Sequence, residues 1–557
     1  MKIEKLSPGK LFWQIITAEK QEVRSIYIFA IFQGLVSLSL PLGIQSIINF
    51  IQAGSLSTSW YVLIIFVLAG IFLAGLLQLK QLQVIETIEQ RLFVNVSFNF
   101  AHSVPRILIP GLHGKYIPEV LNRFFEVTTV QKGMAKILLD FSSAFIQIIF
   151  GVLLLSLYNP MFALLGAALV IILLVILKIT GPIGLRTSIE ESKYKFQVAH
   201  WLQEVGRTLS TFKLAGNTPL PTERADKLTG KYLDARNKHF KVLLNQYRAL
   251  VGFKVLVAAG LVILGSILVV NREINIGQFV AAEIVVLMLI ASIEKIILNM
   301  SVVYDVLTAL DKLEDVAVIE TERTDGVDVP ADEKNEGLAV SIKNLSFSFE
   351  NDQTPIIKNV SLEIARGEIV CVKGSNGSGK TTLLKLMSGF YENYGGTIAY
   401  NDMPLGSIKL DSLRNIIGEN FSEQEIFRGT VYENISCGRI DVDTNAIMNA
   451  VSSVGLTEFI KSISKGLNSD LEPEGQGLPG GVKRRLILAR CFACNPRLLL
   501  IEDTLIGQSK EERELFFEVL FKQCRNITTL IVTNDDEVAK RCNRVLILDD
   551  GVLINSN

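Results

Sequence analysis

The 557-residue chain has no surplus of either charge: 55 Lys and Arg stand against 56 Asp and Glu, a formal net charge of −1. A protein that grips nucleic acid by its phosphates carries a basic excess, so nucleic acid is not an expected partner. Cysteine is scarce and confined to Cys371, Cys437, Cys491, Cys494, Cys524 and Cys542, with none before residue 371. Cys491-Phe-Ala-Cys494 has the spacing of half a zinc site, but it has no second well-spaced pair and lies in a helical pattern. That argues against a metal centre there. The start of the chain lacks a signal-peptide cleavage pattern. Residues 1–24 are charged and amphipathic around Leu11, Phe12, Ile15 and Ile16, and read as an interfacial helix leading into a membrane. No accessory N-terminal domain is expected ahead of them.

What the sequence has in abundance is apolar residue: 49% of the chain, with a mean hydropathy of +0.37. That is high for a soluble protein, and the length is too great for one domain. Six apolar runs, at 25–51, 58–77, 137–158, 161–178, 249–270 and 277–300, each approach the ~20 residues that cross a bilayer as a helix. Short connections join first to second, third to fourth and fifth to sixth, while 78–136 and 179–248 are long. Arg272 is the one basic residue in the short connections, whereas the long ones hold Lys80, Arg91, Arg106, Lys115, Arg123, Lys132, Arg186, Lys193 and more. Positive charge favours the cytoplasm, so the long connections and both ends are expected inside, in a cell (inner) membrane. The long connections also read as helical and should extend the membrane helices into the cytoplasm. Few ionisable residues fall in the spans: Asp140, Lys254, Glu283, Glu294 and Lys295. Lys254 is expected to snorkel and Asp140 to lie near the inner interface; Glu283 and Glu294 fit either the interface or a cavity.

Residues 316–337 place Glu320, Glu322, Asp325, Asp328, Asp332 and Glu333 among turn formers, and read as a polar linker. From 338 to 557 the pattern is α/β. Its centre is Gly374-Ser375-Asn376-Gly377-Ser378-Gly379-Lys380-Thr381, between a strand-like 368–373 and a helix that continues through Thr382. A Gly, any four residues, then Gly-Lys-Thr in that context is a phosphate-binding loop. Consecutive backbone N–H groups face a phosphate chain at a helix N-terminus, Lys380 reaches the outer phosphates, and the Thr381 hydroxyl holds Mg²⁺. The expected cofactors are ATP and Mg²⁺. With ATP in the cytosol, the thiols of this part stay reduced.

Six spans with long cytoplasmic extensions, a linker and a P-loop cassette resemble a half-transporter of the ATP-binding-cassette exporter superfamily, over nearly the whole chain. Stretches such as Leu40-Pro-Leu-Gly-Ile-Gln-Ser-Ile-Ile-Asn-Phe50 resemble bacterial type I secretion and bacteriocin exporters. The resemblance implies an all-α six-helix membrane domain over 25–315 and an α/β P-loop NTPase cassette over 338–557, with coupling segments near 113–120 and 208–217. It implies that Phe349 stacks on adenine and that 429–435 receives the membrane domain. Leu478-Pro479-Gly480-Gly481 matches the signature segment, which in the family meets the nucleotide on a partner's P-loop. The strand 498–503 matches the one that ends in the Mg²⁺ and catalytic carboxylates.

The departures from the family pattern fall where the chemistry is. Ser422 stands where the family has a Gln near Mg²⁺, and Pro479 and Val482 replace the signature's Ser and Gln. Glu502-Asp503 reverses the usual Asp-Glu, Ser509 replaces an Asp of the dimer contact, and Asn534 replaces the switch His. Glu502 keeps a carboxylate for Mg²⁺, one methylene longer. Asp503 keeps a base, one methylene shorter, and a ~1 Å misplacement can cost ~100-fold in rate. Asn534 still donates a hydrogen bond but carries no charge. Pro479 lacks hydroxyl and N–H, while Gly480 and Gly481 keep their N–H groups. Binding is expected to survive and hydrolysis to be slow, with Asp503 and Asn534 limiting it. The implied partners are a second half-transporter, identical or related, membrane lipid and a periplasmic adaptor. Two functions stay open: an exporter half, with peptide or protein as favoured cargo, and a non-transporting ATP-binding regulatory or scaffold subunit.

Overall fold

The computed structural model describes residues 5–54, 58–109, 117–330, 336–349, 354–422, 425–503 and 510–555. The chain divides into two compact units, Met1–Arg106 with Gly114–Glu320 and Ile107–His113 with Thr321–Asn557.

The first unit is helical. Among the described residues, six stretches are long and apolar enough to cross a membrane: Lys20–Gln52, Thr58–Arg106, Glu119–Tyr158, Pro160–Arg207, Leu220–Val270 and Ile276–Ala317. Several run far past their apolar part. Leu220–Val270, at 51 residues, is ~75 Å long against a hydrocarbon core of ~30 Å. The tight turns have local causes. Asn159 caps the helix that begins at Pro160 by accepting from Met161 N–H at 2.9 Å, and Pro160 has no N–H to leave unpaired there. Asn275 and Gln278 form a reciprocal capping box ahead of Ile276–Leu298. The first span is not one helix: Lys20–Ser37 gives way to Ser39–Gln52 at Leu38. Pro41 accounts for the break, because it has no N–H for the carbonyl four residues back and its ring crowds that carbonyl.

Two ion pairs join charges within the spans. Lys254 Nζ lies 2.7 Å from a Glu294 carboxylate oxygen. Lys295 Nζ lies 2.9 Å from Asp140 Oδ1, and Asn299 Nδ2 donates to Asp140 Oδ2 at 2.8 Å. This corrects the expectation that Lys254 snorkels: it meets a carboxylate on another helix, and pairing offsets part of the cost of charge in an apolar setting. Of the two segments expected to couple the halves, 113–120 lies outside the described residues up to 116 and then enters the helix Ile117–Asn122, and 208–217 contains the short helix Leu209–Leu214.

The second unit is α/β. Six strands form one sheet in the order Val552–Asn555, Arg544–Asp549, Ile369–Lys373, Thr528–Val532, Leu498–Glu502, Ile417–Asn420. All neighbours are parallel except at the Val552–Asn555 edge. Leu498, Leu499, Leu500 and Ile501 are all buried, as a parallel sheet covered on both faces demands. A second, antiparallel sheet runs Ile357–Ile364, Val340–Phe347, Gly395–Tyr400, Met403–Pro404. Register places the site. Val532 pairs with both Val372 and Glu502, so residues 374, 503 and 533–535 leave the sheet at one edge. That edge is the carboxyl end of the parallel strands, where open α/β sheets bind ligands. The polar segment from Thr321, within this unit, is tied down where described: Arg414 donates to both Glu322 carboxylate oxygens at 2.6 and 2.8 Å, and Val327 N–H donates to the Ser407 carbonyl at 2.8 Å.

Candidate nucleotide site

A cleft of ≈ 680 Å³ opens at that edge, and its lining includes Asn376, Gly377, Gly379, Lys380, Thr381, Thr382, Glu502, Asp503 and Asn534. The loop from Gly374 to Gly379 follows strand Ile369–Lys373 and precedes helix Lys380–Met387. Two glycines are required by geometry. A Cβ on Gly374 would collide with the Leu548 carbonyl oxygen, and Gly379 sits at φ +99° as the helix begins, a conformation side chains resist. Ser378 is buried within the loop, and its N–H donates to the Ser375 carbonyl at 3.2 Å.

The P-loop wall is drawn together by its own residues. Lys380 Nζ donates to the carbonyls of Gly374 at 2.9 Å and Ser375 at 2.7 Å. Burial pushes its pKa down, against the opposing pull of the Glu502 carboxylate. The Thr381 hydroxyl donates to Glu502 Oε1 at 2.5 Å, and the backbone N–H of Ser422 donates to Glu502 Oε2 at 2.9 Å. Thr381, Glu502 and Ser422, the three residues expected around a divalent cation, therefore converge, although Ser422 reaches Glu502 by its backbone. Among the described residues no group of three or more His, Cys, Asp or Glu is placed to hold a metal by itself. Mg²⁺ commonly takes only one or two protein oxygens and fills the rest of its octahedron with phosphate and water, and a Thr hydroxyl beside a carboxylate fits that habit. Cys491 and Cys494 take no part: both are buried, with Cys491 Sγ donating to the Glu419 carbonyl at 2.8 Å and Cys494 Sγ to the Cys491 carbonyl at 3.1 Å.

The opposite wall is a closed ring of hydrogen bonds. Asp503 Oδ2 accepts from the Thr533 hydroxyl at 2.7 Å and from Arg513 Nη2 at 3.0 Å. The same Arg513 nitrogen donates to Asp535 Oδ2 at 2.7 Å, and Asp535 N–H donates back to the Thr533 hydroxyl oxygen at 3.0 Å. Asp535 Oδ1 caps helix Asp536–Lys540. Asn534 stands between the walls, its Oδ1 accepting from Gly374 N–H at 3.0 Å. With the acceptor end used, the Asn534 amide N–H groups are the donors it has left for a phosphate oxygen.

The sequence reading did not find Arg513, Thr533 or Asp535, all of which line the cleft. Thr533 and Asp535 had a signal, since both flank Asn534 past a strand that runs beside Leu498–Glu502. Not all expected residues gather here. Phe349 lies off the lining, its ring edge-on to Phe347 and Tyr391 at 5.2 and 5.7 Å between centroids. Pro479 is the N-cap of helix Gly480–Ala493, and the 478–481 segment lies off the lining too. Ser509 lies outside the described residues.

A phosphate loop at the carboxyl edge of a parallel sheet, in a chain whose described residues include six helices long and apolar enough to cross a membrane, defines a membrane-bound P-loop nucleotide-binding protein. Two family models match in tandem: ABC transporter transmembrane region over residues 25–293 and ABC transporter over residues 357–505. The chain belongs to the ABC transporter family, and is a multi-pass membrane protein with a cytoplasmic nucleotide-binding cassette. It is 25% identical over 356 residues to the alpha-hemolysin translocation ATP-binding protein HlyB of Escherichia coli O157:H7, covering 63% of this chain and 50% of that protein. It is 26% identical over 358 residues to the leukotoxin export ATP-binding protein LtxB of Aggregatibacter actinomycetemcomitans, covering 64% and 50%. The chain thus spans about half the length of these curated relatives. A bacterial Atm1-family ABC exporter with ATP bound superposes with a TM-score of 0.81 at 18% identity, over 96% of this chain and 94% of that one. That likeness shows the exporter fold.

Proposed function

We propose that this chain is one half of a dimeric, ATP-driven exporter that binds Mg·ATP well and hydrolyses it slowly. The observation that carries the reading is the contrast within the cleft: Lys380, Thr381 and Glu502 stand together with their polar groups toward one another, while Asp503 is bound into a ring with Thr533 and Arg513. The P-loop amides and Lys380 hold the phosphate chain, in place of the carbonyls Lys380 holds without it. Thr381 and Glu502 would hold Mg²⁺, which neutralises charge on the phosphates when bound. Asn534 donates to the terminal phosphate, and Asp503 accepts the proton of the attacking water. Phase one, binding, rests on groups that are present and oriented. Proton transfer rests on a carboxylate that is one methylene short and already bonded, which is why turnover is slow.

In the dimer, Gly480 and Gly481 present N–H groups at the start of a helix to the partner's nucleotide, and Pro479 contributes none. Phe349 serves the adenine. The relatives translocate haemolysin and leukotoxin by name, which favours peptide or protein as cargo and a periplasmic adaptor as a further partner. The test is ATP binding and ATPase activity of the full chain in reconstituted membranes, with and without candidate cargo. Saturable binding with slow, cargo-stimulated turnover supports the exporter. Binding with no turnover under any cargo favours a regulatory or scaffold subunit, and absence of binding defeats both.

A further inference from the structure

Arg513 is the unexpected residue of the cleft. It lies on helix Lys510–Gln523 and lines the phosphate cavity. One of its nitrogens donates to two carboxylates at once, Asp503 at 3.0 Å and Asp535 at 2.7 Å. The Asp503 side chain is only 8% exposed, and those of Arg513 and Asp535 are 24% and 25% exposed, so the arrangement is largely shielded from water. Charge-assisted bonds in such a setting are about twice as strong as neutral ones. The ring joins two segments that differ in sequence but share an edge of the sheet. Asp503 ends the strand Leu498–Glu502, while Thr533 and Asp535 follow Thr528–Val532.

Two donors on one carboxylate oxygen use both of its lone pairs. Asp503 Oδ2 accepts from Thr533 and from Arg513, so that oxygen has no lone pair left for a water. Arg513 Nε is buried without an acceptor among the described residues, so the guanidinium is committed to the two acids through Nη2. Without the cation, two carboxylates that approach the same point would repel each other and part.

We propose that Arg513 is a positioning residue that restrains Asp503: it ties the end of the catalytic strand to the switch segment and occupies one of the two carboxylate oxygens that could take the water's proton, so that it slows turnover. This rests on the reading of Asp503 as the proton acceptor, but the tie itself does not. Hydrogen exchange of nucleotide-free, full-length protein tests the tie alone. Arg513→Gln should speed exchange of the 533–538 amides by about tenfold, a loss of ~1.4 kcal/mol in local opening energy, and Arg513→Lys should hold it near the native rate. Unchanged exchange in Arg513→Gln overturns the restraint. The second reading is turnover at saturating ATP. Arg513→Gln should raise kcat about threefold or more with ATP affinity unaltered, and Arg513→Lys should restore the slow rate. A kcat that is unchanged or lower overturns the proposal. Should Arg513→Gln fail to fold, Asp535→Asn removes the second anchor while keeping the Oδ1 cap, and must move exchange and kcat in the same directions. If the native protein binds no ATP, the proposed function falls, and the exchange result still decides whether Arg513 holds the segment.

Discussion

The two walls of the nucleotide cleft meet at two adjacent residues of one strand end, yet they are organised differently. On the P-loop wall, Thr381 and Ser422 both donate to Glu502, and Lys380 is held by carbonyls that a phosphate can replace. Those bonds are the ones a nucleotide would exchange for its own. On the other wall, Asp503, Arg513, Thr533 and Asp535 bond to one another in a ring that sets one guanidinium between two carboxylates. Glu502 and Asp503 are adjacent in the chain and fall on opposite sides of this division. Strand alternation sends neighbouring side chains to different surroundings, and the proposed separation of binding from turnover rests on that difference.

The sharpest way to break the comparison is to remove the binding wall. Lys380→Ala deletes the one cation of the P-loop and should weaken ATP binding by about 100-fold, the ~3 kcal/mol of a strong charged contact. Equilibrium nucleotide binding checks it, and unchanged affinity would mean the loop does not hold the phosphates.

Restoring the usual residues at positions on and between both walls should change rate more than affinity. The set Glu502→Asp, Asp503→Glu and Asn534→His should raise kcat about tenfold at saturating ATP, read by phosphate release. Adding Pro479→Ser should give a further gain, larger than it gives alone, because residues acting on one transition state are not additive. Recovery no greater than the separate changes give would show that the two segments act independently.

A smaller effect is expected where neither wall is touched. Lys254→Met should destabilise the membrane part by ~1–2 kcal/mol through the unpaired Glu294, and the double change Lys254→Met with Glu294→Gln should restore most of it. Denaturation in detergent reads both. Nucleotide affinity should not move in either, which makes this pair the control for the first two.

The smallest effect concerns thiols. Cys437 is exposed, Cys542 half-buried, and Cys371, Cys491, Cys494 and Cys524 are buried. Burial pushes the Cys524 thiol up to about 11 and raises Cys491 and Cys494 as well, which suppresses their thiolates. A maleimide should therefore label Cys437 first, by mass spectrometry, without loss of ATP binding.

The binding wall was legible in the sequence because its signal is local: eight consecutive residues, Gly374 to Thr381, carry the whole loop. The membrane helices were legible from runs of apolar residue and from the placement of Arg272 and the basic connections. The break at Leu38 had a visible cause in Pro41, and the apolar run concealed it. The ring was not legible for a physical reason. Asp503 and Thr533 meet only through the parallel register that sets Glu502 beside Val532, and Arg513 reaches them from a helix whose placement no local pattern fixes. The Lys254–Glu294 and Lys295–Asp140 pairs were hidden in the same way, since each depends on how two helices pack, consecutive ones in the first case and distant ones in the second.

The proposed combination of intact binding with restrained turnover is addressed directly by one measurement. The full chain in lipid nanodiscs is titrated with ATP and Mg²⁺, and turnover is followed in the same preparation at saturation. The account predicts saturable binding with a rate well below the ~10 s⁻¹ of an ordinary enzyme, rising in Arg513→Gln at unchanged affinity. A native rate at or above ~10 s⁻¹ would contradict it, because Asp503 would then be serving freely as base from within its ring.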